Sequence, residues 1–174
     1  MLMASWKKDD KALGMMRFHP AKGGFRRTWH GRKTSEISRS GPEGAIPVCK
    51  DMAPKMAGEI SKETGWKIRR VSLKARNDAR AIPDAWEKAA LEDFDMRAAA
   101  GEPVANLEKG ETVGNEYRFV KALPVQPLCL ACHGAVEQMS PAVKTALARH
   151  YPDDRATGYS LGQIRGAISV RKPF

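Results

Sequence analysis

The chain lacks any apolar run near the roughly 18 residues that a transmembrane helix needs, so we expect no membrane span. It also has no internal repeat and no long low-complexity tract. Its 174 residues are 42% hydrophobic and 29% charged, which is ordinary for a globular protein. This length predicts one domain with enough chain for a hydrophobic core.

A recognisable secretory signal is missing as well, because no apolar segment of roughly 7–15 residues follows a basic segment near the start. The formal net charge is +10, and it is unevenly distributed. Residues 1–40 hold ten Lys/Arg and three Asp/Glu, whereas residues 41–174 hold twenty and seventeen. We therefore predict a basic leader over 1–40, poorly ordered or a misassigned start, and a folded domain over 41–174. Since no recognition motif accompanies the basic excess, we expect no nucleic-acid partner.

Cys129, Cys132 and His133 form a Cys-x-x-Cys-His sequence, the attachment signature of a c-type haem. The two thiols can add to the two vinyl groups of one haem, and the next residue presents an imidazole to the iron. The motif predicts one covalently bound haem c with His133 as an iron ligand.

Three other interpretations of the cysteine pair stay open at this stage. A zinc site needs about four ligands, but the chain has no second Cys-x-x-Cys and no His-x-x-x-His pair, so Cys49 and a histidine would have to complete it. A redox dithiol usually follows a strand that runs into a helix. Here Pro124 and Pro127 predict a fixed extended approach to the motif. A structural disulfide is a third possibility.

Apolar periodicity, caps and breakers predict the elements of residues 41–174. We expect a helix over 42–64 that is kinked or broken at Pro47 and Pro54, and residues 17–40 show no clear period. A second helix begins after Asp84 and ends near Gly101, and a third runs from Pro141 to about residue 150. Strands are predicted over 66–73, 117–125 and 163–171. This mixture indicates an α+β fold with an antiparallel sheet.

Five blocks of the chain, in this order over residues 41–173, resemble the c-type haem domains with a PAS-like fold that were long filed as a domain of unknown function. The blocks are Ala-Ile-Pro-Val-Cys at 45–49, Arg-Val-Ser-Leu-Lys-Ala-Arg-Asn at 70–77, Pro-Asp-Ala-Trp-Glu at 83–87, Cys-Leu-Ala-Cys-His-Gly at 129–134, and the stretch from Tyr-Pro-Asp-Asp at 151–154 to Arg-Gly-Ala at 165–167. The resemblance implies a PAS-like antiparallel sheet flanked by helices, with one covalent haem.

The resemblance also implies roles for single residues. Cys129 and Cys132 would carry the thioether bonds, His133 would be the proximal ligand, and Cys49 would be the second axial ligand. From the residues alone, other distal ligands are chemically possible, namely Met52, Met56, Met139 and His150. The basic residues in the matching blocks are candidate partners of the haem propionates: Arg70, Lys74, Arg76 and Arg165.

Thiolate ligation stabilises ferric iron and predicts a low reduction potential. If nitric oxide or carbon monoxide displaced Cys49, the domain would act as a redox or gas sensor. With no kinase, cyclase or chemoreceptor segment after Phe174, we expect any signal to pass to a separate redox or signalling partner. The alternative is a low-potential periplasmic electron-transfer cytochrome c. We do not expect an enzyme, because no base, nucleophile and oxyanion constellation is visible. Covalent haem attachment takes place outside the cytoplasm, so we expect a periplasmic or other extracytoplasmic location.

Overall fold

The computed structural model describes the backbone of residues 25–174 and the side chains of 39–77 and 80–174. The helices are α1 Phe25–Thr64, α2 Asp78–Ala81, α3 Ala85–Ala99, α4 Leu130–His133 and α5 Pro141–His150, and the strands are β1 Lys67–Val71, β2 Glu108–Val113, β3 Glu116–Pro124 and β4 Ile164–Pro173. Short 3-10 turns cover Val104–Asn106, Pro127–Cys129 and Val136–Gln138. In this part of the chain, no helix combines the length and apolar character of a membrane span.

The four strands form one antiparallel sheet in the order β1-β4-β3-β2. The expected α+β class with an antiparallel sheet is therefore confirmed. Strand β2 is an addition to the prediction. It pairs with β3 through a hairpin in which Val113 lies opposite Glu116. The two-residue loop between them is Gly114–Asn115, and Gly114 adopts a φ of +60° that such turns require.

Helix α1 differs from its prediction in two ways. Residues 25–40 are helical, although their sequence shows no clear period, and the part of the predicted leader before residue 25 lies outside the described residues. The break occurs at Gly41, with φ 73° and ψ 175°, and not at Pro47 or Pro54. Pro42 suits the start of the second half, where a missing N–H leaves no helical bond unmade. Each later proline removes one backbone bond, and packing of this half offsets the loss.

The second half of α1 packs against α5. Ile46 is buried in a cluster that includes Met139, Val143, Leu147 and Tyr151. The Ser140 side chain accepts a hydrogen bond from Val143 N–H at 3.2 Å and so caps α5, which starts at Pro141 as predicted. This pair of helices forms a layer over one face of the sheet, next to the Cys-x-x-Cys-His segment.

Helix α3 covers the other face of the sheet. Asp84 caps it by accepting from Glu87 N–H at 2.9 Å, and the Glu87 carboxylate accepts in return from Asp84 N–H at 2.9 Å. The principal core lies between α3 and the strands, with these residues buried: Val71, Ala90, Leu91, Phe94, Leu107, Val120, Ala122, Ile164 and Ala167. Since α3 fills this side of the sheet, the space next to the Cys-x-x-Cys-His segment lies on the opposite face.

Candidate cofactor site

The Cys-x-x-Cys-His segment leaves the end of β3 and forms a tight turn. Pro127 opens the 3-10 turn that ends at Cys129, and α4 continues directly to His133. Residues three apart lie on the same side of a helical turn, so the two thiols of Cys129 and Cys132 share one face. Gly134 ends the helix, and a Cβ there would lie 2.7 Å from the Leu130 carbonyl oxygen. The 3-10 turn and α4 therefore place both cysteines on the same side of the segment.

A cavity of about 560 Å³ lies between this turn, α1 and β1. Its volume is in the range of cofactor and small-molecule sites. Its walls include Cys49 from α1, and Cys129, Cys132 and His133 from the predicted attachment motif. The structure thus brings the distant Cys49 to the same cavity as the motif, across some 80 residues of sequence.

The alternative distal ligands predicted from the sequence lie elsewhere. None of the four alternative distal ligands lines this cavity: Met52, Met56, Met139 and His150. Met139 is buried between α1 and α5. Among the described residues, no group of three or more His, Cys, Asp and Glu side chains is arranged to hold a metal ion, which disfavours the zinc interpretation.

His133 is held in one tautomer by the backbone. Its Nδ1 lies 2.7 Å from the carbonyl oxygen of Ala156, and because a carbonyl can only accept, Nδ1 carries the hydrogen. The Nε2 atom then keeps the lone pair that a metal needs. Burial lowers the pKa of His133 well below its usual value, the charges of Arg165 and Arg76 lower it further, and the bond to Ala156 only partly opposes them. The imidazole is neutral at neutral pH, which is its ligand form.

Arg165 reaches His133 because β4 contains a β-bulge. Leu123 pairs with Gly166 and Pro124 pairs with Ile164, which leaves Arg165 as the extra residue. Its Nε lies 3.1 Å from Nδ1 and 3.3 Å from Nε2 of His133. Burial, followed by the charge of Arg70, lowers the pKa of Arg165 to about 10, so the side chain stays cationic at neutral pH.

Three of the four predicted propionate partners line the cavity, namely Arg70, Arg76 and Arg165. Lys74 does not; it is exposed, with its Nζ 5.1 Å from the centre of the Tyr159 ring. Arg70 lines the cavity, and its side chain makes no hydrogen bond or ion pair with residues 39–77 and 80–174. Desolvation lowers the pKa of Arg70, and Arg76 lowers it too, while Cys49 and Cys129 oppose the shift. The cavity wall is therefore cationic and matches an anionic ligand.

The residues present fit a haem by their chemistry. Two thiols and a neutral imidazole come from one turn, a third thiol comes from α1, and guanidinium groups face the same space. Sequence reasoning missed Ala156, Asp154 and Ser72 as parts of this site. All three lie within blocks that the resemblance had already marked. Ala156 acts through its backbone, which carries no sequence signal, and the Ser72 hydroxyl accepts from Arg165 Nη1 at 3.1 Å.

Comparisons with known proteins identify the family of the chain. A family model described as Tll0287-like matches residues 5–173. The solved structure reported as "Crystal structure of the cyanobacterial heme-protein Tll0287" is similar with a TM-score of 0.59 and 34% identity, covering 72% of this chain and 71% of that chain. No curated protein matched the chain. The matched span and the shared fold show that the chain belongs to the Tll0287-like family.

Proposed function

We propose that the chain binds one haem c and uses it as a redox or gas sensor. Cys129 and Cys132 would hold the group by adding their S–H bonds across two vinyl groups, and His133 Nε2 would bind the iron. Cys49 would supply the second axial ligand. When bound, the haem would provide one-electron redox chemistry and an iron that binds nitric oxide or carbon monoxide.

One observation carries the proposal: the attachment motif, a distant cysteine and the three predicted arginines line one cavity. A zinc site would have no use for three guanidinium groups, whereas a haem carries two propionates that pair well with arginine. Arg70, whose side chain makes no hydrogen bond or ion pair in the described part of the chain, is the clearest candidate for such a pair. The haem-protein relative supports the same assignment.

The sensor role rests on Cys49. A thiolate is a strong anionic donor that favours ferric iron, so this ligand is the one expected to leave on reduction or gas binding. Cys49 lies on α1 between Pro47 and Pro54, where two backbone bonds of the helix are already missing. Release of Cys49 would loosen this segment, and α1 would pass the change to a separate redox or signalling partner. The PAS-like fold, the extracytoplasmic location and the absence of enzyme activity belong to the same proposal.

A low-potential electron carrier is the second candidate. Leu128, next to Cys129, lines the cavity while 39% of its surface is exposed. An edge of the cavity therefore lies near the protein surface, where an electron-transfer partner could approach. A carrier would keep Cys49 bound in both oxidation states.

Acid–acetone extraction and a pyridine haemochrome spectrum test the cofactor. The haem should stay with the protein after extraction, and the spectrum should show two saturated vinyls. Extractable haem would contradict covalent attachment. Reduction potential and carbon monoxide binding, measured together, separate the sensor from the carrier. A sensor should bind the gas in the ferrous state with loss of Cys49, whereas a carrier should bind none.

A further inference from the structure

One backbone carbonyl connects His133 to an ion pair that the proposed cofactor site does not use directly. The Ala156 oxygen accepts from His133 Nδ1 at 2.7 Å and lies 3.4 Å from Arg76 Nη2. The same Nη2 also donates to the carbonyl oxygen of Cys132. Arg76 therefore ties the attachment turn to the carbonyl that orients its histidine.

Asp154 contacts both Arg76 and the backbone of Ala156. Its Oδ1 accepts from Ala156 N–H at 2.8 Å, and its Oδ2 lies 3.0 Å from Arg76 Nε. The side chains of Arg76 and Asp154 are largely buried, with 12% and 9% of their surface exposed. The guanidinium also lies 5.8 Å from the centre of the Tyr151 ring, which further limits its orientations. Each partner of the ion pair thus has a second contact on the backbone of Ala156.

We infer that Arg76 and Asp154 are positioning residues for His133: they hold the Ala156 carbonyl where it sets the tautomer and ring plane of the proximal imidazole. Groups that hydrogen-bond a ligating histidine from behind commonly decide its orientation and basicity. Arg76 Nη2 contacts two backbone carbonyls, and Arg76 Nε lies at ion-pair distance from Asp154 Oδ2 without a hydrogen bond to it. This positioning role differs from the predicted propionate contact. The inference rests on the proposed haem function, because it concerns the ligand of that haem.

Four single variants separate positioning from charge. Arg76→Lys keeps the positive charge but loses the planar fork that can bridge a carboxylate and two carbonyls. Arg76→Gln removes the charge as well. Asp154→Asn removes the carboxylate that holds Arg76, and Asp153→Asn is the matched control, since Asp153 is exposed and one residue away.

Each protein is produced with a cytochrome c maturation system, and the g-values of the ferric low-spin signal are measured by electron paramagnetic resonance. We expect Arg76→Lys, Arg76→Gln and Asp154→Asn all to shift the g-values or split them into two sets, because the imidazole gains a second orientation. Asp153→Asn should keep the wild-type signal. Far-UV circular dichroism identifies any variant that does not fold, and Asp154→Asn decides the question if Arg76→Lys fails to fold.

Wild-type spectra for both Arg76→Lys and Asp154→Asn would overturn the inference, as would equal shifts in Asp153→Asn. If only the Arg76→Gln protein has an altered spectrum, Arg76 acts through its charge alone, and the inference is overturned as well. These results differ from failure of the proposed function, in which the wild-type protein itself would carry no covalent haem.

Discussion

Arg165 lies against the imidazole of His133, with its Nε 3.3 Å from the Nε2 atom that keeps the lone pair. The contact depends on the bulge in β4, and Gly166 makes that bulge possible. Gly166 has a φ of +143°, and a Cβ there would lie only 2.3 Å from the carbonyl oxygen of Val71. The position therefore admits only glycine, for reasons of both conformation and space.

Gly166→Ala should lower the free energy of unfolding by at least about 2 kcal/mol, since strain and a backbone clash act together. Urea denaturation measures the change. Gly162→Ala is the matched control, because Gly162 also has a positive φ of +83° but nothing within 4 Å of the added methyl. The control should lose about 1 kcal/mol from backbone strain alone. Equal losses of unfolding free energy in the two variants would mean that the close approach of Gly166 to the Val71 carbonyl has no energetic consequence.

Glu87→Gln should cost about 2–4 kcal/mol of folding stability, because it removes a buried carboxylate from its ion pairs with arginine, one of which is also buried. Glu87 is fully buried; it accepts from Ser169 Oγ at 2.6 Å and pairs with Arg69 and Arg118. Glu92→Gln on the same helix is the control. Glu92 is exposed and forms only a surface pair with Lys88, so its loss should stay within about 0.5 kcal/mol. A loss that small in Glu87→Gln would argue against the buried network as a source of stability.

Asp84→Asn tests the charge at the start of α3, because asparagine is an equally good cap. Burial alone would raise the pKa of Asp84, but the Glu87 N–H and the guanidinium groups of Arg118 and Arg171 hold it below its usual value of 3.8. A depressed carboxyl pKa stabilises the fold above the unfolded-state value, and the contribution disappears as pH falls through the folded-state value.

The stability difference between wild type and Asp84→Asn should therefore be constant from about pH 5 to pH 7 and shrink below about pH 4. Urea denaturation at several pH values measures this difference. A difference that stays unchanged down to pH 3 would show that the charge is not the origin of the effect.

Elements marked by local chemistry could be predicted from the sequence. Strands β1, β3 and β4 and helices α3 and α5 lie within two residues of their predicted bounds. Asp84 before α3 and Pro141 at the first position of α5 marked the starts of these two helices in the sequence. Strand β2 was missed because it is mostly exposed and has no apolar alternation, and the Gly114–Asn115 turn was its one signal.

The site residues also differ in how well local sequence predicts them. Cys129, Cys132 and His133 lie close together in the sequence and could be recognised directly as a motif. The position of Cys49 came from the family resemblance, and the approach of Arg165 depends on a register shift between β3 and β4. No local pattern encodes such a shift, because it depends on how two strands of the folded sheet pair.

Arg70→Gln should lower the reduction potential and weaken haem retention during maturation. Removing a cation from the cavity wall disfavours the more reduced, less positive iron and leaves an anionic group of the haem without a partner. Potentiometric titration measures the first effect. Lys74→Gln is the control, because Lys74 is exposed and does not line the cavity. If Lys74→Gln shifts the reduction potential as much as Arg70→Gln does, the cause is long-range charge and not a specific contact with the haem.

Cys49→Ser should replace a low-spin ferric spectrum of the thiolate type with a high-spin or water-ligated one, and should raise the reduction potential. Serine preserves the size of the side chain but is a poor iron ligand, so the change isolates the sulfur. Met139→Leu is the matched control: Met139 is buried beside Val143, does not line the cavity, and tolerates a side chain of similar volume. Electronic absorption and electron paramagnetic resonance spectra read out both variants. A wild-type spectrum in Cys49→Ser together with an altered one in Met139→Leu would transfer the distal role to Met139. That result would require α5 to move in the haem-bound protein, since Met139 lies in the packed cluster between α1 and α5.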